Sequence, residues 1–132
     1  MKQRITIKDI VIPRNNRINE ELKWVCDSLG FMTGRDIEDT SFKIIKELLE
    51  QFKSNEIVST EMIAKSLNLE PPRINHHLRN LMESGIIFRE KRKVALTGGS
   101  LSRAIEEMKR DSDNMFEKIL EISKKIDKEF FE

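Results

Sequence analysis

The sequence predicts a mainly α-helical fold with one small β-hairpin and a long C-terminal helix. Three features support this prediction. Residues 71–84 repeat apolar side chains at the spacing of an amphipathic helix. Two short strand-like runs follow, on either side of a basic turn at residues 91–93. From Leu101 onward, apolar residues alternate spacings of four and three, which is the heptad pattern of a coiled coil.

The chain has 132 residues, enough for one domain and an additional element. Its net charge of +1 hides an uneven distribution, since residues 1–18 carry +4 and residues 70–100 carry +3. Residues 19–69 carry −4 and residues 101–132 carry −2. The charge pattern is compatible with a polyanionic partner on one face.

Composition and motifs exclude several classes of protein. One cysteine, Cys26, allows no disulfide framework or multi-thiolate metal site within a monomer, and we expect it to be a small buried hydrophobe. No apolar run approaches the ~18 residues of a membrane span, and the N-terminus lacks a signal-peptide core, so a cytoplasmic protein is expected. No nucleophile–base pair, phosphate loop or metal-ligand cluster is present. We therefore expect neither an enzyme nor a cofactor or metal site.

Residues 1–18 form a basic N-terminal arm. Two alternating apolar fragments, Ile5/Ile7 and Ile10/Ile12, slip in phase, which is typical of a short strand with a bulge or of an extended segment. Three interpretations stay open. The arm is solvated, enters a DNA minor groove, or adds a strand to a partner subunit.

Three helices are expected between residues 19 and 70. Asn19 would cap the first, and Gly30 would end it. A polar loop at 33–40 leads to the second helix, for which Asp39, Thr40 or Ser41 is the expected cap. Ser59 or Thr60 would begin a short third helix, and Leu69 would fill the space between helices. The residues expected inside are Leu22, Val25, Cys26 and Leu29, then Phe42, Ile45, Leu48, Leu49 and Phe52, then Met62, Ile63 and Leu67.

The fourth helix, residues 71–84, has an apolar back and a polar front. Ile74, Leu78, Leu81 and Met82 form the apolar stripe. At about 100° per residue, Asn75, His76, Arg79 and Asn80 fall on the opposite side and His77 on the flank. Arginine, asparagine and histidine can hydrogen-bond to base edges and phosphates, so this pattern is typical of a helix that reads DNA.

The order of elements predicts a winged helix-turn-helix domain at residues 19–99. A short helix, a turn and a longer helix precede a two-strand hairpin made of "IIFRE" and "KVAL", with Lys91–Lys93 at its tip. The expected contacts with double-stranded DNA are Thr60, Arg73, Asn75, His76, His77, Arg79, Asn80, Arg89, Lys91, Arg92 and Lys93.

Ser100 would cap a last helix, residues 100–132, which predicts a coiled-coil homodimer. The heptad positions are Leu101, Ile105, Met108, Ser112, Met115, Ile119, Ile122 and Ile126. A rod of about 48 Å is too long for a small domain to cover alone.

"INHHLRNLMESGII" resembles the recognition helix of ArsR-type winged-helix regulators, over residues 59–97. The wider layout, from "ELKWVCDSLG" to "GGSLSRAIEEMKRD", is similar to archaeal winged-helix transcription regulators, including activators of archaellum genes and factors that recruit transcription factor B. The resemblance implies DNA contacts by Asn75, His76, Arg79 and the wing tip. Glu70 departs from the Ser or Thr usual before this helix, and Pro71 and Pro72 remove two N–H groups that would otherwise bind phosphate.

The resulting prediction is a homodimeric, sequence-specific transcription regulator. The alternative from another class is an interaction module that binds RNA polymerase or a general transcription factor, for which the acidic segment 19–69 would supply a surface. The ArsR-type metal sensors are a poor match because "EMIAKSLN" lacks their thiolate pair. His76 and His77 are adjacent, so they point in different directions and cannot share one ion as an i, i+4 pair can.

Overall fold

The computed structural model describes residues 2–32 and 39–132, and most of the predicted loop at 33–40 lies outside them. The helices are α1 (Ile18–Ser28), α2 (Thr40–Phe52), α3 (Thr60–Leu67), α4 (Pro71–Ser84) and α5 (Leu101–Phe131), and the strands are β1 (Ile57–Ser59), β2 (Ile87–Glu90) and β3 (Lys93–Leu96). A 3₁₀ turn at Thr97–Gly99 joins β3 to α5. The predicted fold class, a winged helix-turn-helix followed by a long C-terminal helix, is confirmed.

The sheet has three strands rather than the predicted two. Its order is β1-β3-β2, and both pairings are antiparallel. The prediction missed β1 because a three-residue strand is too short to show alternation. β1 also lies directly before α3, so the sheet is joined to the helix-turn-helix at the residue where α3 begins.

The core sits between the helices and the inner face of the sheet. Its fully buried members come from every layer and include Ile44, Ile63, Ile74, Leu78, Leu81 and Val94. Cys26 is buried as predicted, and Leu69 packs against the core from the turn between α3 and α4. Ala104 and Met108 also belong to this core, so the first turns of α5 are part of the domain.

Two sequence predictions about helix ends and faces are wrong. Asn19 does not cap α1, because the helix begins at Ile18, after Arg17, with no side-chain cap. Instead, the carboxylates of Glu20 and Glu21 in the first turn interact favourably with the positive end of the helix dipole. Met62 is 53% exposed. The buried side of α3 is centred between Ile63 and Ala64, and Met62 lies about 100° behind Ile63 on the far side.

Other helix ends match the expectation. The Ser59 side chain accepts a hydrogen bond from the Glu61 N–H at the start of α3, and Ser100 does the same for Arg103 at the start of α5. Gly85 ends α4 with a φ of 94°, which glycine adopts without strain. A Cβ atom there would lie 2.6 Å from the side-chain nitrogen of Gln3, so a larger residue would also require that side chain to move.

Candidate nucleic-acid interface

Helix α4 separates a buried face from a polar one. Ile74, Leu78 and Leu81 are buried, while His76, Arg79 and Asn80 are exposed. The apolar stripe fixes the helix on the domain, so burial itself determines which side faces outward. The exposed side offers hydrogen-bond donors and acceptors of the kind that meet base edges.

Two other predicted contact residues hold α4 against α2. Arg73 donates a hydrogen bond from Nη2 to Thr40 Oγ1 at 3.0 Å. One turn later, His77 Nδ1 lies 2.8 Å from Ser41 Oγ. Both hydroxyl-bearing residues are buried at the first turn of α2. Arg73 and His77 therefore position the helix in the folded chain, whatever they contact in a complex.

The sequence did not point to this role for Thr40 and Ser41. Both residue types are common helix caps, and we expected Asp39, Thr40 or Ser41 to be the cap. Asp39 occupies the N-cap position without a side-chain hydrogen bond, and the two hydroxyls face α4 instead. Two consecutive hydroxyl residues at the start of an apolar helix were the available signal, but their partners lie more than 30 residues away in sequence.

Other polar positions on α4 and at its N-cap are half-buried or carry a negative charge. Asn75 is half-buried on the flank of the helix. The rings of His76 and His77 meet edge to face, with centroids 5.5 Å apart and planes inclined by 72°. Glu70 at the N-cap is exposed and makes no capping hydrogen bond, and Glu83 is only half-buried near the other end. These two carboxylates disfavour phosphate at either end of α4.

The hairpin presents a basic tip beside the helices. Arg89, Lys91, Arg92 and Lys93 are all exposed. The Arg92 carbonyl accepts a hydrogen bond of 3.2 Å from the Thr60 N–H, at the first residue of α3. Lys91 adopts a left-handed φ of 59°, which closes the tight turn between β2 and β3. The turn is therefore attached to the helix-turn-helix, and Thr60 lies at that junction.

This arrangement agrees with the comparison against known families. Residues 37–87 match the winged helix-turn-helix DNA-binding family. No curated protein and no solved structure matches the chain. The matched range spans α2, β1, α3, α4 and the first residue of β2. The family is described by DNA binding, not by a catalytic activity.

The N-terminal arm lies along its own winged helix-turn-helix domain. The Arg4 N–H donates to the Glu83 carbonyl at 2.8 Å, and the Lys8 N–H donates to the Ser28 carbonyl at 2.7 Å. Trp24 Nε1 donates to the Ile10 carbonyl. The arm is extended, with no strand at residues 2–17. Residues 4–10 are thus placed by hydrogen bonds within the subunit, to α1 and to the C-terminal end of α4.

Helix α5 divides the predicted heptad positions into two groups. Met108 is buried in the winged helix-turn-helix core, and Leu101 and Ile105 pack against it. Beyond Ser112, Met115, Ile119, Ile122 and Ile126 are each about half exposed. Phe116, Leu120, Phe130 and Phe131 add further exposed apolar surface. None of the helices in the described residues is both long and apolar enough to cross a membrane.

Proposed function

We propose that this protein is a sequence-specific transcription regulator that binds double-stranded DNA as a homodimer. The observation that carries the proposal is the two-sided character of α4, which buries Ile74 and Leu78 and exposes His76 and Arg79. The match of residues 37–87 to a DNA-binding family supports it. In this proposal α4 enters the major groove and the wing lies over flanking phosphates.

Base reading falls mainly to the exposed centre of α4. Arg79 and Asn80 offer the geometries that pair with guanine and adenine edges, respectively. His76 lies beside them, and Asn75 reaches the groove from the flank of the helix. Arg73 and His77 hold α4 on α2, so their contribution to binding is first the orientation of the helix.

Positioning on the DNA falls to the wing. Lys91, Arg92 and Lys93 bring three positive charges to one exposed turn, and Arg89 adds a fourth nearby. Contacts of this kind fix the register of a protein on the duplex but carry no sequence information. The backbone N–H of Thr60 joins α3 to the wing. In this proposal Thr60 therefore lies close to the same phosphates.

Dimerisation falls to the distal part of α5. The helix has 31 residues and is about 46 Å long, but only its first turns are covered by the domain. Each aliphatic side chain buried by a second copy would contribute roughly 1.5–3 kcal/mol. Two copies related by a two-fold axis would place their recognition helices about 34 Å apart, in successive major grooves. We also propose that the protein is an ArsR-like winged-helix regulator of the kind found in archaea.

Selection of bound sequences from a random duplex pool, using the full chain, tests the proposal. The expected result is an inverted repeat whose half-sites are separated by about one helical turn. Recovery of single, unpaired half-sites would argue against the dimer. If the selected pool stays random and binding disappears as salt is raised, the protein has only non-specific affinity for DNA. That result would overturn sequence-specific regulation.

A further inference from the structure

The first residues of the arm hold the C-terminal end of α4. Carbonyl groups in the last turn of a helix have no partner within the helix. The Arg4 N–H donates to the Glu83 carbonyl. The Gln3 side chain donates from Nε2 to the Ser84 carbonyl at 2.9 Å. Gly85 leaves room for this contact, because a Cβ atom there would lie 2.6 Å from Gln3 Nε2.

The same Gln3 side chain also reaches α5. Its Nε2 atom donates a second hydrogen bond to Asp111 Oδ2 at 3.1 Å. A carboxamide NH₂ group has two hydrogens, and both partners, a carbonyl and a carboxylate, only accept. These two hydrogen bonds, here called the Gln3 bridge, therefore use both donors of Nε2 and join the end of α4 to α5 through one atom.

Asp111 lies beyond the part of α5 that the core holds. The buried residues of this helix are Ala104 and Met108. Apolar contacts are non-directional, whereas a hydrogen bond prefers a narrow range of distance and angle. At 1.5 Å per residue, Ile126 lies about 27 Å beyond Met108. A tilt of about 10° at Met108 would thus move Ile126 by about 5 Å, which exceeds the ~3.4 Å rise of one base pair.

We propose that Gln3 is a positioning residue, through which α5 fixes the orientation of α4 relative to the dimer axis. The inference rests on the proposed homodimer, in which the distal part of α5 forms the interface. It gives the arm the role of keeping the two α4 helices at one separation, which restricts the half-site spacing that the dimer accepts. Gln3 and Asp111 are exposed, so water competes for their hydrogen bond and its effect on stability is small.

Pulsed electron spin resonance on the full-length dimer tests the proposal without DNA. A nitroxide on Arg79→Cys reports the separation of the two α4 helices, and the native Cys26 is buried, so the label attaches to the introduced cysteine. Gln3→Glu replaces the donor with an acceptor of the same shape, and Asp111→Ala removes the acceptor. Each should widen the distribution of label distances by about 5 Å, because the tilt of α5 is less restrained.

Matched variants separate the Gln3 bridge from a general effect on the helix. Asp111→Asn keeps an acceptor oxygen and should retain the wild-type width. Asp113→Ala is the control, because the Asp113 carboxylate accepts a hydrogen bond from Lys109 on the same helix. The backbone hydrogen bonds of Arg4 and Lys8 involve none of these side chains, so the arm should stay attached in every variant.

Gel shift with two selected half-sites, at the best spacing or with one base pair more or fewer, gives the functional readout. Gln3→Glu should lower the preference for the best spacing by about three-fold, because one base pair changes both the separation and the rotation of the half-sites. A monomeric wild type would overturn the proposed dimer, and this inference with it. In a dimeric wild type, unchanged width and spacing preference in both Gln3→Glu and Asp111→Ala would overturn the inference alone. So would an equal loss of affinity at every spacing with unchanged width, since Gln3 would then act only on stability.

Discussion

The Nδ1 atom of His77 lies 2.8 Å from the Oγ atom of Ser41, so a residue of α4 shares a hydrogen bond with the first turn of α2. Ser41 is buried, whereas the neighbouring His76 is exposed. Two adjacent histidines therefore have different roles. His77 contributes to the placement of α4, and His76 is available to a ligand.

Removing the Ser41 hydroxyl should destabilise the fold. We expect Ser41→Ala to lower the free energy of unfolding by about 1 kcal/mol, because it removes the hydrogen bond to His77 in a buried setting. Urea denaturation measures the effect, and Ser54→Ala, at an exposed serine, is the control. A double-mutant cycle with His77→Ala should give a coupling of about 0.5–1.5 kcal/mol. Zero coupling would show that the two side chains act independently.

Arg79 should contribute to the choice of DNA sequence. We expect Arg79→Ala to cost roughly 1–3 kcal/mol of binding to the selected site and to relax the preference at one position in each half-site. Fluorescence anisotropy with a set of single-base variants measures both effects. Arg110→Ala, at an exposed arginine of α5, should change neither. A uniform decrease in affinity across all DNA variants would assign Arg79 to the phosphates instead.

The wing tip should act through charge alone. Changing Lys91, Arg92 or Lys93 to Ala should weaken binding about equally for every sequence. Each substitution should reduce the slope of log K against log salt by about one, because one condensed counterion fewer is released from the DNA. Titrations at four salt concentrations measure the slope. If the slope is unchanged while one base preference disappears, the wing reads sequence and not phosphate.

Dimerisation should depend on residues beyond Asn114. Truncation after Gly99 would remove Ala104 and Met108 from the core, so it cannot separate folding from association. A chain ending at Asn114 should stay folded and sediment as a monomer, whereas the full chain should sediment as a dimer. Ile119→Glu in the full chain should also give a monomer, and Lys124→Glu, on the far side of α5, should not. A dimeric 1–114 chain would place the interface elsewhere.

Cys26 should make the stability of the protein sensitive to alkaline pH. Burial raises the pKa of its thiol from 9.0 to about 12. Above pH 9 the unfolded chain loses this proton while the folded chain keeps it, so the thiol's contribution to stability falls as pH rises toward 12. Between pH 8 and pH 10 the wild type should lose about 1.4 kcal/mol more than Cys26→Ala does. Urea denaturation of both proteins at the two pH values measures this decrease, and a constant difference would contradict it.

Local periodicity in the sequence was enough to predict most of the fold. The apolar stripe of α4, the glycine that ends it, the basic turn of the hairpin and the Ser100 cap are each encoded within a few residues. Such signals depend on the 3.6-residue and two-residue repeats, which need no knowledge of distant contacts. The polar front of α4 followed for the same reason, because the buried stripe leaves only one side exposed.

Only the tertiary structure decided the features that join distant segments. Strand β1 exists because β3 pairs with it, and Thr40 and Ser41 face α4 because packing brings the two helices together. The arm is placed by hydrogen bonds to the ends of α1 and α4. The single heptad pattern of α5 has two environments, since its first turns are covered by the domain and the positions beyond Ser112 are exposed. A repeat in sequence states that a face is apolar, but only the three-dimensional arrangement determines what covers it.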